Sequence, residues 1–443
     1  MLNISSGKMV RKWISPIERF FSLEASTGVV LLCCALLALL WANSPWSEVY
    51  YKILHYPLGI HLDAFSLSFS LHHWVNDALM VIFFFVVGLE IKRELSVGEL
   101  ATPKKAALPI FAALGGMFIP ALFYLIFNPQ GVSQMGWGIP MATDIAFAIG
   151  VLSLMSKRVP FSLKVFLLAL AIVDDLGAIL VIAFFYSQEI SGRFLAFAGG
   201  VIFIIFCAKK VGIKSFLFYI VCGFSLWFFV LQSGVHATVA GVILGLMCPA
   251  GRIKNKAQKW ESMIALSSSG VPSYKTAKKL TQMISSLHTP AHRLIEELHF
   301  YVAWIIMPVF AFFNAGVKLQ SGFSFMEFGS HPVSMGILFG LFLGKPIGIV
   351  LFSFLAVRLK LAIWPKDFNW RKLTGVGFLA GIGFTMALFI SHLSFPTHPE
   401  LAVYSKLSIL LASLLAMLTG ITFILFSGSP LESGDESRSL KEE

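Results

Sequence analysis

The chain has 443 residues, 57% of them hydrophobic and only 13% charged, with a mean hydropathy of +0.81. Soluble domains sit nearer half apolar and a quarter charged, so a water-soluble globular protein is excluded and a membrane protein is expected. The formal net charge of +11 would suit a nucleic-acid binder, but the placement of the charges supplies a different reason for it.

A spanning helix needs about 20 mainly apolar residues. In chain order, twelve segments meet or approach this: 20–42, 72–91, 106–127, 134–155, 161–186, 194–209, 213–231, 235–250, 297–317, 333–357, 373–394 and 401–426. The first run is too long for the apolar core of a secretory signal, and no small-residue cleavage site follows it, so no cleavable leader is expected. Residues 43–71 are rich in aromatics. There "YYKILHYPLGI" and "DAFSLSFSLHHW" partly alternate around a Pro-Leu-Gly turn, which predicts a β-hairpin. An isolated hairpin is marginal in water, so this one should pack on something, such as a second protomer. The pair of spans at 213–250 is short and Gly-interrupted. Residues 251–296 form a basic, Ser-rich loop that reads as a hinge between two membrane parts, 1–250 and 297–426, with a tail at 427–443.

With the N-terminus inside, 29 of the 34 Lys and Arg fall in inside loops, and only Lys52, Arg193 and Lys318 lie outside. The excess of Lys and Arg on cytoplasmic loops sets orientation. Both termini are therefore expected in the cytoplasm, and the +11 needs no nucleic acid. The five cysteines (Cys33, Cys34, Cys207, Cys222 and Cys248) lie in apolar runs, fit no zinc spacing and read as packing residues.

The ionisable residues that stand out in the spans or at their ends are Asp77, Glu90, Asp144, Asp174, Asp175 and Lys345. One central charge costs roughly 2.5–3.5 kcal/mol on insertion scales, and such a residue marks function by default. "ALAIVDDLGAILVIAFF" places Asp174 and Asp175 mid-span, with no other charge between Lys164 and Glu189. Adjacent helical positions point about 100° apart, so one carboxylate can face a cavity while the other turns to a neighbouring helix. Two nearby carboxylates in a low dielectric titrate as a coupled unit, and their oxygens also suit a hard cation. One site can thus hold a cation or protons but hardly both, which is the chemistry of an antiporter. Lys345, in "GLFLGKPIGIVLF", lies too deep to snorkel and needs a carboxylate partner, Asp174 or Asp175, or a neutral amine. Glu90 lies beside Lys92 and Arg93, where an interfacial salt bridge is expected. His236, in "QSGVHATVAG", suits a structural role as well as a pH switch.

Asp144 sits in "GIPMATDIAFAIG", where Pro140 and nearby glycines weaken a helix and Thr143 adds a hydroxyl. "GVGFLAGIGFTMALFI", with Gly381, Gly383 and Thr385, repeats the mark later in the chain. Paired Gly/Pro-interrupted segments point to inverted repeats with broken helices around a midplane site. Asp144 could neutralise the positive ends of such half-helices, and a cation the negative ends. Alternatively, these glycines only allow close helix packing.

At these residues the sequence resembles the NhaA family of Na+/H+ antiporters. The matching stretches, in family order, are "NDALMVIFFFVVGLEIKREL", "MATDIAFAIG", "ALAIVDDLGAI", "SGVHATVAG", "FAFFNAGV", "GKPIGI" and "GIGFTM". The resemblance implies an all-α membrane protein of twelve spans with two broken, crossing helices and a small periplasmic β-hairpin. It implies exchange of cytoplasmic Na+ or Li+ for external protons across a bacterial inner membrane, electrogenic, pH-regulated and without a cofactor. Asp175 matches the essential cation ligand and proton carrier, Asp174 the partner of the lysine, and Lys345 that lysine. Asp144 and Thr143 match the charge-compensating residues, and Thr385 sits in the second broken span with Gly381 and Gly383. Glu90, Arg93 and His236 match positions tied to pH response and the cytoplasmic entrance, and Glu296 and His299 are placed with them. Residues 43–71 match a homodimer hairpin. This sequence departs from the family near Leu298 and His299: Ile295 stands where the family has an acidic residue, and the preceding loop is longer. A diphosphate-binding membrane enzyme would need further acidic residues at metal-binding spacing, and "LGAIL" after Asp175 supplies none. A passive channel or a sensor would need no cluster that couples cation to proton.

Overall fold

The computed structural model describes residues 24–62, 65–155, 158–187, 190–213, 215–248, 290–319, 324–365 and 367–427. The expected N-terminal tract, most of the basic loop at 251–296 and nearly all of the 427–443 tail lie outside them.

The described residues are mainly helical. They form α1 (Glu24–Ala42), α2 (Ser47–Leu54), α3 (Leu71–Val97), α4 (Pro103–Phe127), α5 (Ile145–Leu154), α6 (Phe161–Phe185) and α7 (Gly192–Val211). After these come α8 (Phe216–Gln232), α9 (Thr238–Met247), α10 (Ala291–Ala315), α11 (Phe325–Ser330), α12 (Pro332–Arg358), α13 (Trp370–Ala380), α14 (Phe384–Ser394) and α15 (Pro399–Leu425). A tight helical stretch, Val132–Met141, precedes α5. Eight of these segments are long and apolar enough to cross a membrane, or up to ten if each of two bent pairs is one span. The two short expected spans, 213–231 and 235–250, correspond to α8 and α9, which fall below that length. A 25-residue helix such as α6 is about 37 Å long, enough for a hydrocarbon layer of about 30 Å. Large apolar side chains point outward from these helices: Phe184 is 78% exposed and Phe203 66%. Lipid is the solvent that makes such a surface stable, so the chain is a multi-pass membrane protein.

The described structure divides into two compact units. One holds residues up to Met80, Lys104–Ser187 and the chain from Ala303 onward; the other holds Val81–Pro103 and Gln188–Val302.

In the first unit, the 43–71 segment is not a hairpin throughout. α2 fills its first half because Tyr50 and Leu54, four residues apart, bury on one face. The Tyr50 hydroxyl donates to the Phe312 carbonyl at 2.7 Å. The hairpin that follows is antiparallel, β1 (Pro57–Leu62) with β2 (Phe65–Ser70), in register from Pro57 opposite Ser70 to Leu62 opposite Phe65. Trp74 Nε1 on α3 donates to the Leu58 carbonyl at 2.8 Å and ties the hairpin down.

α4 and α12 touch backbone to backbone in the same unit. A Cβ on Gly115 would lie 2.2 Å from the Gly348 carbonyl oxygen, and one on Gly348 would lie 2.1 Å from that of Gly115. Only glycine permits that approach. Gly344 packs on Pro120 in the same seam. The seam fixes the helix that carries Lys345.

In the second unit, Gly88 of α3 lies against Val242 and Gly245 of α9, and Leu89 packs with Ala291 and Ile295 of α10. All five cysteines are free, and Cys33 is exposed on α1 rather than packed as the sequence suggested.

Candidate functional site

Two helix breaks in the first unit build the site. The first follows Met141: Ala142 and Asp144 are extended, and α5 starts at Ile145. Pro140 and the glycines before it make this the weak point. The second lies between α13 and α14, which bend by 46° over Gly381 to Gly383. Gly381 is needed there because a Cβ would meet the Leu341 carbonyl oxygen at 2.5 Å. The breaks bond to each other directly, since the Asp144 N–H donates to the Ile382 carbonyl at 2.7 Å.

The Asp144 carboxylate serves two helix starts. Oδ1 accepts the Phe147 N–H of α5 at 3.0 Å, and Oδ2 accepts the Thr385 N–H of α14 at 3.2 Å and the Thr385 hydroxyl. Helix N-termini carry unsatisfied N–H groups and partial positive charge. One fully buried carboxylate answers both. α14 has no side-chain cap of its own, because Gly383 occupies that place.

The opposite polarity collects at the helix ends before the breaks. Lys345 Nζ donates to the Met141 carbonyl and lies 2.7 Å from Asp174 Oδ2. Thr143 Oγ1 lies 3.0 Å from the same Asp174 oxygen and 2.9 Å from the Ala380 carbonyl. A hydroxyl has one proton, so Thr143 serves one of these acceptors at a time. Asp174, Asp175, Thr143, Asp144, Lys345 and Thr385 are all buried, and Lys345 and Asp144 are wholly so. The second Asp174 oxygen accepts no hydrogen bond among the described residues. Asp174, not Asp175, is thus the carboxylate that meets Lys345. Asp175 is buried one position on in α6.

The remaining sequence candidates belong to the second unit. Glu90 forms the expected bridge with neither Lys92 nor Arg93 among the described residues. Arg93 instead bonds Glu94 at 3.2 Å, and Glu94 is itself held by the Glu99 N–H at 3.1 Å. His236 Nδ1 meets the Thr238 hydroxyl at 2.8 Å, and Glu296 lies 3.4 Å from His292. His299 is on α10. Asp77, in the first unit, lies 2.8 Å from His73.

Sequence reasoning missed the carbonyls of Met141 and Ala380 as acceptors, which no side chain announces. It also missed the glycine seam, whose signal is the spacing Gly340, Gly344, Gly348.

The chemistry of this arrangement is that of a buried cluster of ionisable groups in a membrane helix bundle. It has carboxylates for a cation or protons and an ammonium that competes for one of them. The sequence profile of the family described as Na+/H+ antiporter 1 matches residues 18–424. Na(+)/H(+) antiporter NhaA 1 of Saccharophagus degradans is 44% identical over 430 residues, covering 94% of this chain and 92% of that protein. Na(+)/H(+) antiporter NhaA of Oleidesulfovibrio alaskensis is 45% identical over 422 residues, 92% of this chain and 93% of that one. Na(+)/H(+) antiporter NhaA of Helicobacter pylori strain J99 is 43% identical over 418 residues, 92% and 94%. With the profile and these relatives each spanning nearly the whole chain, the protein belongs to the NhaA family of Na+/H+ antiporters, transporters rather than enzymes.

Proposed function

We propose that this protein exchanges Na+ or Li+ from the cytoplasm for protons from outside, across a bacterial inner membrane, by alternating access. The observation that carries this reading is the buried Asp174–Lys345 ion pair beside Asp175, set where two helix breaks meet. Removing one partner of such a pair exposes the other to an uncompensated low-dielectric site. A cation arriving at Asp175 and Asp174 therefore displaces positive charge, either protons or the ammonium. Lys345 then keeps the Met141 carbonyl as an acceptor or gives up its proton. Returning protons reverse the exchange.

Twelve spans follow if α8 and α9 each cross as short spans and the two bent pairs count once each, with both termini cytoplasmic. The breaks are then the crossing point of two inverted repeats, with the 251–296 segment joining 1–250 to 297–426. Glu90, Arg93, His236, Glu296 and His299 serve the pH response and the cytoplasmic entrance, with His236 at the outer end of its span, and the hairpin joins two copies into a homodimer. Exchange is electrogenic, moving net charge in each cycle.

Purified protein in proteoliposomes tests the exchange. With an acid-inside gradient and a dye reporting ΔpH, external Na+ or Li+ should dissipate the gradient while choline should not. A K+ diffusion potential should change the rate. Asp175→Asn should be inactive yet folded and inserted. Exchange unchanged in Asp175→Asn, or absent in the wild type from neutral to alkaline pH, would overturn the reading.

A further inference from the structure

α14 begins without a cap of its own, yet two of its first N–H groups are satisfied. Thr385 N–H goes to Asp144. Phe384 N–H goes to Ser413 Oγ of α15 at 3.1 Å, in a buried bond between residues 29 apart. Ser413 itself is buried, 5% exposed. α15 lies against this break through small side chains: Ala416 Cβ would be 3.4 Å from a Cβ on Gly381, and Gly420 faces Gly375.

We propose that Ser413 is a positioning residue for the ion site. Its hydroxyl supplies, from another helix, the cap that Gly383 cannot, and shares the start of α14 with Asp144. Each acceptor takes a different N–H, so the Asp144 carboxylate stays divided between α5 and α14. Without Ser413, Phe384 N–H is an unsatisfied buried donor, and the Asp144 carboxylate, already bonded to the next N–H of α14, is an acceptor that it can draw away. Any shift of Asp144 moves both breaks, because Asp144 N–H also holds Ile382. The breaks in turn place Ala380 and Met141, whose carbonyls hold Thr143 and Lys345. Ser413 thereby acts on Asp174 through the backbone, without touching the ion.

This inference rests on the exchange reading above. The test compares Ser413→Ala, Ser413→Cys and Ser413→Thr with the wild type in the same proteoliposomes, following apparent KM for Na+, maximal rate and melting temperature. Active wild-type protein is the control: its failure would sink the exchange reading, whereas the variants bear on Ser413 alone. Losing one buried hydrogen bond of ordinary strength should raise KM roughly fivefold in Ser413→Ala. Ser413→Cys, with a weak sulfur acceptor, should move the same way. Ser413→Thr, which keeps the hydroxyl, should stay within about twofold of wild type. An unchanged KM in both Ala and Cys variants overturns the proposal, even if melting temperature falls. So does a raised KM that Thr does not restore. If Ser413→Ala does not fold, the Cys and Thr comparison decides alone.

Discussion

At the scale of single residues, the site is a balance of buried charges that each hold another in place. Asp174 and Lys345 were legible as ionisable groups because nothing else in their apolar runs could hydrate them. From the residues alone either aspartate could face the lysine, since adjacent helix positions leave both free; only the family resemblance named Asp174, the one that meets Lys345. Ser413 was invisible for the opposite reason: serines in spanning helices commonly bond their own helix, and only the fold brings this one to Phe384. The expected salt bridge of Glu90 to Lys92 or Arg93 is not formed among the described residues; Arg93 is held by Glu94, which also accepts the Glu99 N–H. The pairing of Asp174 with Lys345 makes a prediction of its own. Asp174→Ala should lower unfolding free energy by roughly 3–5 kcal/mol, because Lys345 is left charged and buried. Asp174→Ala with Lys345→Met should recover more than half of that loss. Chemical unfolding in detergent measures both, and simple additivity of the two single changes would mean the pair is not coupled.

At the scale of elements, the helix breaks followed from composition. Pro140 and the flanking glycines weaken one segment, and Gly381 and Gly383 the other, so both breaks were readable. That the breaks bond to each other, Asp144 to Ile382, required the fold. α2 was misread because it was taken together with the partly alternating stretch that follows it, while Tyr50 and Leu54 bury at helical spacing. The hairpin itself was readable, but the Pro-Leu-Gly signal lies inside β1, paired to β2, and does not make the turn. Its strands use their backbone groups on each other and leave outer edges, which another copy can join. Deleting residues 57–70 should therefore halve the mass of the purified particle by light scattering while leaving the helices folded. A deletion variant that keeps the wild-type mass would contradict the proposed homodimer.

At the scale of the whole molecule, class was legible from composition alone, because no soluble core needs so few charges. The division into two units was not, since each unit is assembled from stretches far apart in sequence and nothing in the order of spans announces which ones pack together. The unit that holds Asp144, Asp174, Asp175, Lys345 and Thr385 also contains both breaks and the Ser413 cap. Site and support thus lie in one compact unit. The central claim is that one carboxylate site is shared by cation and proton. Proton release on Na+ addition to purified protein, in weakly buffered detergent solution with a pH dye, tests it most directly. The account predicts release that saturates with Na+, is matched by Li+, is absent with choline and vanishes in Asp175→Asn. Na+ binding detected by calorimetry with no proton release at any pH near neutrality would contradict it.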